Sequence, residues 1–232
     1  MTKTQSPQAF TKNKLQFVHI GKCGGSTVRA EIKDSKLLEE KFASVKIIHA
    51  KQPKYSTNDS YLIVIRNPIQ RVISAYNWRK HLVVESGVAE RERRGEWEVL
   101  NKYTSLNHIA ELLYNPENEK LNSHVLTELY RIGHMKKNIS FYTEDLLRKL
   151  RPSQIYGVIK QHSISEDCIE LLGSSDIGHE KRMHSSKEDK RKYLSAMAQK
   201  NLKRLLYDDY KCILKLYTIG AISKKDFDLL SD

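Results

Sequence analysis

Hydrophobic positions along the chain alternate between short continuous runs and longer amphipathic stretches. Residues 15–20, 45–49 and 61–65 are compact apolar or β-branched runs. Unbroken apolarity over so few residues predicts strands covered on both faces of a parallel sheet. Residues 27–41 have helical character between the first two runs. Pro68 opens the next helix, where its missing N–H costs nothing, and Ile69, Val72, Ile73 and Tyr76 recur at helical spacing. Residues 80–136 read as mostly helical and highly charged. Within them Glu90-Arg91-Glu92-Arg93-Arg94 is a solvated face, Thr104 or Ser105 caps a helix to Leu113, Pro116 breaks it, and 121–135 form another. Residues 139–142 read as a fourth strand and 155–159 as a fifth. Helices are expected from Glu144-Asp145, over 165–172, over a long amphipathic stretch at 189–216, and at the end of the chain.

This alternation predicts an α/β fold: P-loop-like, three-layer α/β/α, with a mostly parallel central sheet and a helical insertion. It fits one domain over 1–232, with a loose polar leader at 1–14 and the helical insertion at 80–136. In such sheets ligands sit at the carboxyl ends of the strands. The turn at 21–27, His49 and Arg66 all fall at such ends.

That turn organises the rest. Phe17-Val18-His19-Ile20 runs into Gly21-Lys22-Cys23-Gly24-Gly25-Ser26-Thr27. Glycines allow close backbone approach, and a helix start offers free N–H groups and the positive end of a dipole to a phosphate. Lys22 adds a full charge, while Ser26 and Thr27 are candidates for capping the helix and donating to phosphate oxygens. The order differs from the GxxxxGK[ST] loop of ATP- and GTP-binding enzymes, because Lys22 precedes the glycine pair. The plain alternative is an ordinary strand-to-helix turn, with Cys23 a small filler rather than a reactive thiol.

A second motif follows the third run: Arg66-Asn67-Pro68-Ile69-Gln70-Arg71-Val72-Ile73-Ser74-Ala75-Tyr76. A forked donor at a strand end and a hydroxyl from the next helix suit one phosphate; the plain alternative is a surface arginine and a helix serine. Composition points the same way. The formal net charge is +12, which favours an anionic partner without choosing among nucleotide, nucleic acid, acidic glycan and membrane surface. Cys23, Cys168 and Cys212 lie far apart, with no metal-ligand spacing. No segment reads as a signal peptide or membrane span, so a soluble cytoplasmic protein is expected.

Together the motifs resemble the sulfotransferases that use 3′-phosphoadenosine 5′-phosphosulfate (PAPS), in their carbohydrate (heparan 2-O-type and bacterial) branch. His19-Ile-Gly-Lys22-Cys-Gly24-Gly25-Ser26-Thr27 is similar to that branch's H-I-P-K-T-G-G-T-T, and 66–76 matches its R-(D/N)-P-x-x-R-x-x-S-x-Y. Weaker echoes are Phe141-Tyr142-Thr143-Glu144-Asp145-Leu146, Tyr156-Gly157-Val158-Ile159 and Tyr207-Asp208-Asp209-Tyr210. Gly21 and Cys23 depart from the pattern, as does Lys160, which stands where the family often has Glu. The resemblance implies transfer of a sulfuryl group to an acceptor hydroxyl of a glycan or other small molecule, with no metal, no stable nucleic-acid partner and no membrane span. It implies that Lys22, Gly24, Gly25, Ser26 and Thr27 hold the 5′-phosphosulfate and that Arg66 and Ser74 hold the 3′-phosphate. Lys181 and Arg182, in a late basic loop, are candidate contacts to that same phosphate. Lys22 would neutralise the leaving oxygen, and His49 is the candidate general base, ahead of His19 and Glu31. Residues 80–136 would form an acceptor wall or lid, where Trp78, Arg79, Lys80 and His81 are candidate contacts. Two rival classes remain: an ATP-dependent P-loop phosphotransferase and a non-enzymatic basic nucleic-acid-binding protein.

Overall fold

The computed structural model describes residues 13–90, 92–175 and 192–232. It is an α/β protein. Four strands, β1 (Lys14–Val18), β2 (Ser44–Ile48), β3 (Asp59–Ile65) and β4 (Ile155–Lys160), form one all-parallel sheet in the order β2-β1-β3-β4. Eleven α-helices flank it among the described residues: α1 (Gly25–Lys33), α2 (Lys36–Lys41), α3 (Pro68–Lys80), α4 (Glu96–Lys102), α5 (Leu106–Glu111), α6 (Ser123–Arg131), α7 (Ile139–Lys149), α8 (Ile164–Leu172), α9 (Ala196–Leu205), α10 (Tyr207–Thr218) and α11 (Lys224–Ser231).

The central strands β1 and β3 are hidden on both faces. Leu15, Phe17, Val18 and every side chain from Tyr61 to Ile65 are fully buried, as their apolar runs require. Gln16, the polar exception, donates its amide to Asp59 Oδ2 at 2.6 Å and to Lys54 O at 3.0 Å. From β1 the chain passes through α1 and α2 to β2 on one side. It then returns along residues 49–58 to β3 on the other side of β1. Between β1 and β3 the connections therefore leave in opposite directions, which opens a crevice beyond their carboxyl ends. The turn after β1 and Arg66, directly after β3, both stand at that crevice.

Two hydrophobic clusters make the interior. One surrounds the sheet with side chains from α1, α2, α7, α8, α10 and α11. The other is made by α3, the π-helical turn His81–Glu85 that continues it, α4, α5, α6 and α9. The expected helicity of 80–136 thus appears as part of a second core.

Several expected elements differ. Residues 139–142 are not a strand but the start of α7, so the sheet has four strands rather than five. Asn138 Oδ1 accepts from the Phe141 amide, and the buried Asp209 carboxylate accepts from the amides of Ile139 and Ser140 at 3.2 and 2.8 Å. These acceptors satisfy a helix start. The stretch 27–41 splits into α1 and α2, because Ser35 caps α2 through the Leu38 amide. The described part of 189–216 is broken at Leu206 into α9 and α10, and its beginning lies outside the described residues. No described helix is long and apolar enough to cross a membrane.

Candidate anion-binding site

The turn after β1 is shaped by close approaches. Gly24 sits at φ 89°, ψ 7°, a left-handed conformation that glycine takes without penalty, and it is the N-cap of α1. A Cβ on Gly25 would lie 2.0 Å from His19 Cδ2, and one on Gly21 would lie 2.7 Å from His134 Nδ1. The glycines thus let two imidazoles press against the turn. Because α1 begins at Gly25, Ser26 and Thr27 lie inside its first turn and do not cap it, contrary to the capping expected of them. Ser26 is exposed and Thr27 half-buried. The amides of Gly24, Gly25 and Ser26 meet no protein acceptor among the described residues.

Three cations converge on this helix start. Lys22 has φ 70°, and its Nζ lies 4.8 Å from the centre of the Trp78 ring, a cation–π seat. Burial, with Arg66 and then Arg71 nearby, pulls its pKa down to about 8. Arg66 donates to the Lys22 carbonyl at 3.4 Å. Arg71, fully buried, donates from Nε to the Gly21 carbonyl at 3.0 Å and from Nη2 to the carbonyls of His134 and Lys137. No carboxylate among the described residues makes an ion pair with any of the three. Among the described residues Arg66 Nε and Arg71 Nη1 are buried and meet no oxygen or nitrogen acceptor, though the Cys23 thiol lies beside Arg71. Buried donors without partners are uncommon and call for an explanation. An anion reaching the turn would supply acceptors and offset the crowded charge.

Arg71, Ser74 and Trp78 follow one another at helical spacing on one face of α3. Ser74, half-buried, therefore lies on the same face of α3 as Arg71 and Trp78, which both reach the turn. The structure therefore brings Lys22, Gly24, Gly25, Ser26, Thr27, Arg66 and Ser74 to one crevice. Lys181 and Arg182 lie outside the described residues.

His49 follows β2 at the same edge, exposed. Its Nδ1 is 3.2 Å from the His19 carbonyl. A carbonyl only accepts, so this bond protonates Nδ1 and leaves the Nε2 lone pair free in the neutral ring. The His19 and His49 rings are 4.3 Å apart at their centres. Burial first, then His49 and Arg29, holds the His19 pKa at about 4. His134 is the residue that sequence reasoning missed. It lies between α6 and α7 at φ 70° and packs on Gly21. Burial first, then Arg71, Lys22, Arg79 and His49, lowers its pKa to about 3. Lys22, Ala50 and His134, three of the four described non-glycine residues with positive φ, all border this crevice, and such strain gathers at functional sites.

Other candidates find structural roles. Lys160 pairs with Asp167 at 2.7 Å. Burial pushes the Cys23 thiol up to about 11, as fits a small filler. Arg79 is buried in an ion pair with Glu96 and Glu92, away from solvent. The Lys80 ammonium donates to the Leu100 carbonyl, and His81 pairs with Glu85 at 3.1 Å. A scan of protein-family models and a search of curated proteins return no match to this chain.

Proposed function

We propose that this chain is a PAPS-dependent sulfotransferase whose acceptor is a hydroxyl group, with a carbohydrate the class favoured by the resemblance of its two motifs. The observation that carries the reading is the junction of those motifs: Lys22, Arg66 and Arg71 crowd one helix start and, among the described residues, two buried guanidinium donors are unfilled and no carboxylate makes an ion pair with any of the three. A ligand with phosphate at both ends suits this arrangement better than a neutral one. The finer architecture that goes with the reading is a P-loop-like three-layer sandwich in which the helices of 80–136 wall the acceptor side.

PAPS supplies the activated sulfuryl group, and the residues of the chain do the rest. The amides of Gly24, Gly25 and Ser26 at the start of α1, with the helix dipole, hold the 5′ end. Arg66 and Ser74 hold the 3′-phosphate. Lys22 leaves its seat on Trp78 to neutralise the leaving oxygen, which is electrostatic catalysis. His49, through Nε2, takes the acceptor proton while the His19 carbonyl fixes its tautomer.

The test is calorimetric titration with adenosine 3′,5′-bisphosphate, with 5′-AMP and Mg-ATP as controls. Micromolar binding of the bisphosphate, at least tenfold tighter than 5′-AMP (about 1.4 kcal/mol), supports both grips and starts an acceptor screen. Equal affinity would remove the Arg66/Ser74 assignment, and preference for Mg-ATP would favour a phosphotransferase. Salt-steep binding of random oligonucleotides, uncompeted by nucleotide, would favour a nucleic-acid-binding protein. His49→Ala should then lower turnover about a hundredfold with bisphosphate affinity kept; an unchanged rate would take His49 out of the mechanism.

A further inference from the structure

We propose that His134 is a further anion contact of this site, one that joins the grip as an imidazolium when a phosphoanion settles on the turn. The proposal rests on the anion-binding reading above, but not on the identity of the nucleotide. The geometry is specific. The His134 ring packs on the Cα of Gly21, the residue before Lys22, so closely that a Cβ there would stand 2.7 Å from Nδ1. Arg71 Nη2 holds the His134 carbonyl at 2.8 Å while Arg71 Nε holds that of Gly21 at 3.0 Å. One fully buried guanidinium therefore ties the His134 backbone to that of the turn, and the ring lies against Gly21. The His134 backbone is held at φ 70°, in the left-handed region that β-carbon residues rarely adopt.

The groups around it are almost all positive. Lys22 faces it from the turn, Arg71 and Arg79 from α3, and His49 from the end of β2. Arg93 reaches the neighbouring Gly133 from the loop before α4. Lys136 and Lys137 follow it in the chain, and Lys137 Nζ donates to the Ala50 carbonyl beside His49. The nearby carboxylate, Glu96, accepts from the Gly133 amide but is already tied to Arg79. Burial and these cations keep the free imidazole neutral, with a pKa of about 3. A multiply charged anion on the turn reverses the local potential and raises that value. Binding then takes up a proton at His134, and affinity gains as the pH falls from neutral towards the free-state value.

The test compares wild type with His134→Asn, since asparagine accepts the left-handed backbone and keeps the fold. His134→Gln serves as a second variant. Adenosine 3′,5′-bisphosphate and, separately, inorganic pyrophosphate are titrated calorimetrically in two buffers of different ionisation enthalpy, at about pH 6 and about pH 8. Wild type should take up protons with both ligands, and the variants clearly fewer. The affinity ratio of wild type to variant cancels the ligand's own titration; it should widen to about tenfold at the lower pH. Equal proton uptake in variant and wild type, or a ratio that ignores pH, would overturn the proposal. Pyrophosphate binding with His134-dependent uptake, but no bisphosphate preference, would keep this proposal and sink the nucleotide reading. Binding of neither ligand to wild type would sink both.

Discussion

Lys22 carries opposed demands. Its ammonium is buried next to Arg66 and Arg71, with its pKa drawn down to about 8. Folding therefore works against this charge below about pH 8, and the penalty is relieved as the pH rises from there to the ordinary lysine value. Lys22→Met should keep an apolar contact with Trp78 while removing the repulsion. Thermal melts near pH 7 should show a gain of about 1 kcal/mol, or roughly 2–4 °C for a chain of this size. Calorimetry should show at least a tenfold loss of bisphosphate affinity. A variant both less stable and unchanged in binding would mean that Lys22 is a structural residue. Gly25 makes the opposite kind of test. A methyl group there would overlap the His19 ring, at 2.0 Å from Cδ2, and that ring is stacked on Phe17 and tilted against His49. Gly25→Ala should cost about 1–3 kcal/mol in denaturant unfolding and weaken anion binding with it. Near-neutral stability would show that the His19 ring yields freely.

The start of α7 shows how one buried group sets an element. Asp209 on α10 is fully buried, accepts two amides of α7, and its pKa is raised by that burial. Asp209→Ala leaves those amides without acceptors and should cost about 2–3 kcal/mol. Asp209→Asn, which keeps one acceptor oxygen, should cost less. Equal losses for the two, measured by chemical denaturation, would point to charge rather than hydrogen bonding as the reason for Asp209. The same contact explains why 139–142 is helical where its short apolar run predicts a strand. Ile-Ser-Phe-Tyr is too short for its periodicity to separate strand from helix, and the deciding acceptor is remote in sequence. β1, β3 and α3 were legible because unbroken apolar runs and a Pro at the first helical position are local signals. The turn and Arg66 were legible for the same reason. His134, the Arg71 bridge to the Gly21 carbonyl and the Trp78 seat of Lys22 were not, because each depends on where the second helical cluster docks against the sheet. Nothing in the residues around His134 marks it until Gly21 is seen beneath it.

The chain as a whole is cationic, at +12, and at the crevice between its two hydrophobic clusters Lys22, Arg66 and Arg71 stand together. That charge makes the fold sensitive to acid. The folded-state pKa values of His19 and His134 are about 4 and about 3, below the ordinary histidine value of 6.5. Between those limits the unfolded chain binds more protons than the native one, so stability rises with pH. The contribution is complete above about pH 6.5 and is lost as the pH falls towards 4. Asp209, whose pKa is raised, works the other way and softens the loss at the acid end. One pKa unit corresponds to about 1.4 kcal/mol, and solvent screening reduces that, so each histidine should cost about 1 kcal/mol by roughly pH 5.5. Thermal melts in chloride should show the midpoint falling from about pH 7 to pH 5.5, and the fall should shrink in His134→Asn. Pyrophosphate should protect more at the lower pH than at the higher one, because bound anion raises the pKa of the imidazole that acid would otherwise drive towards unfolding. Protection that is the same at both values would mean that anion binding and histidine protonation are independent, and the crevice would then work through its fixed lysine and arginines alone.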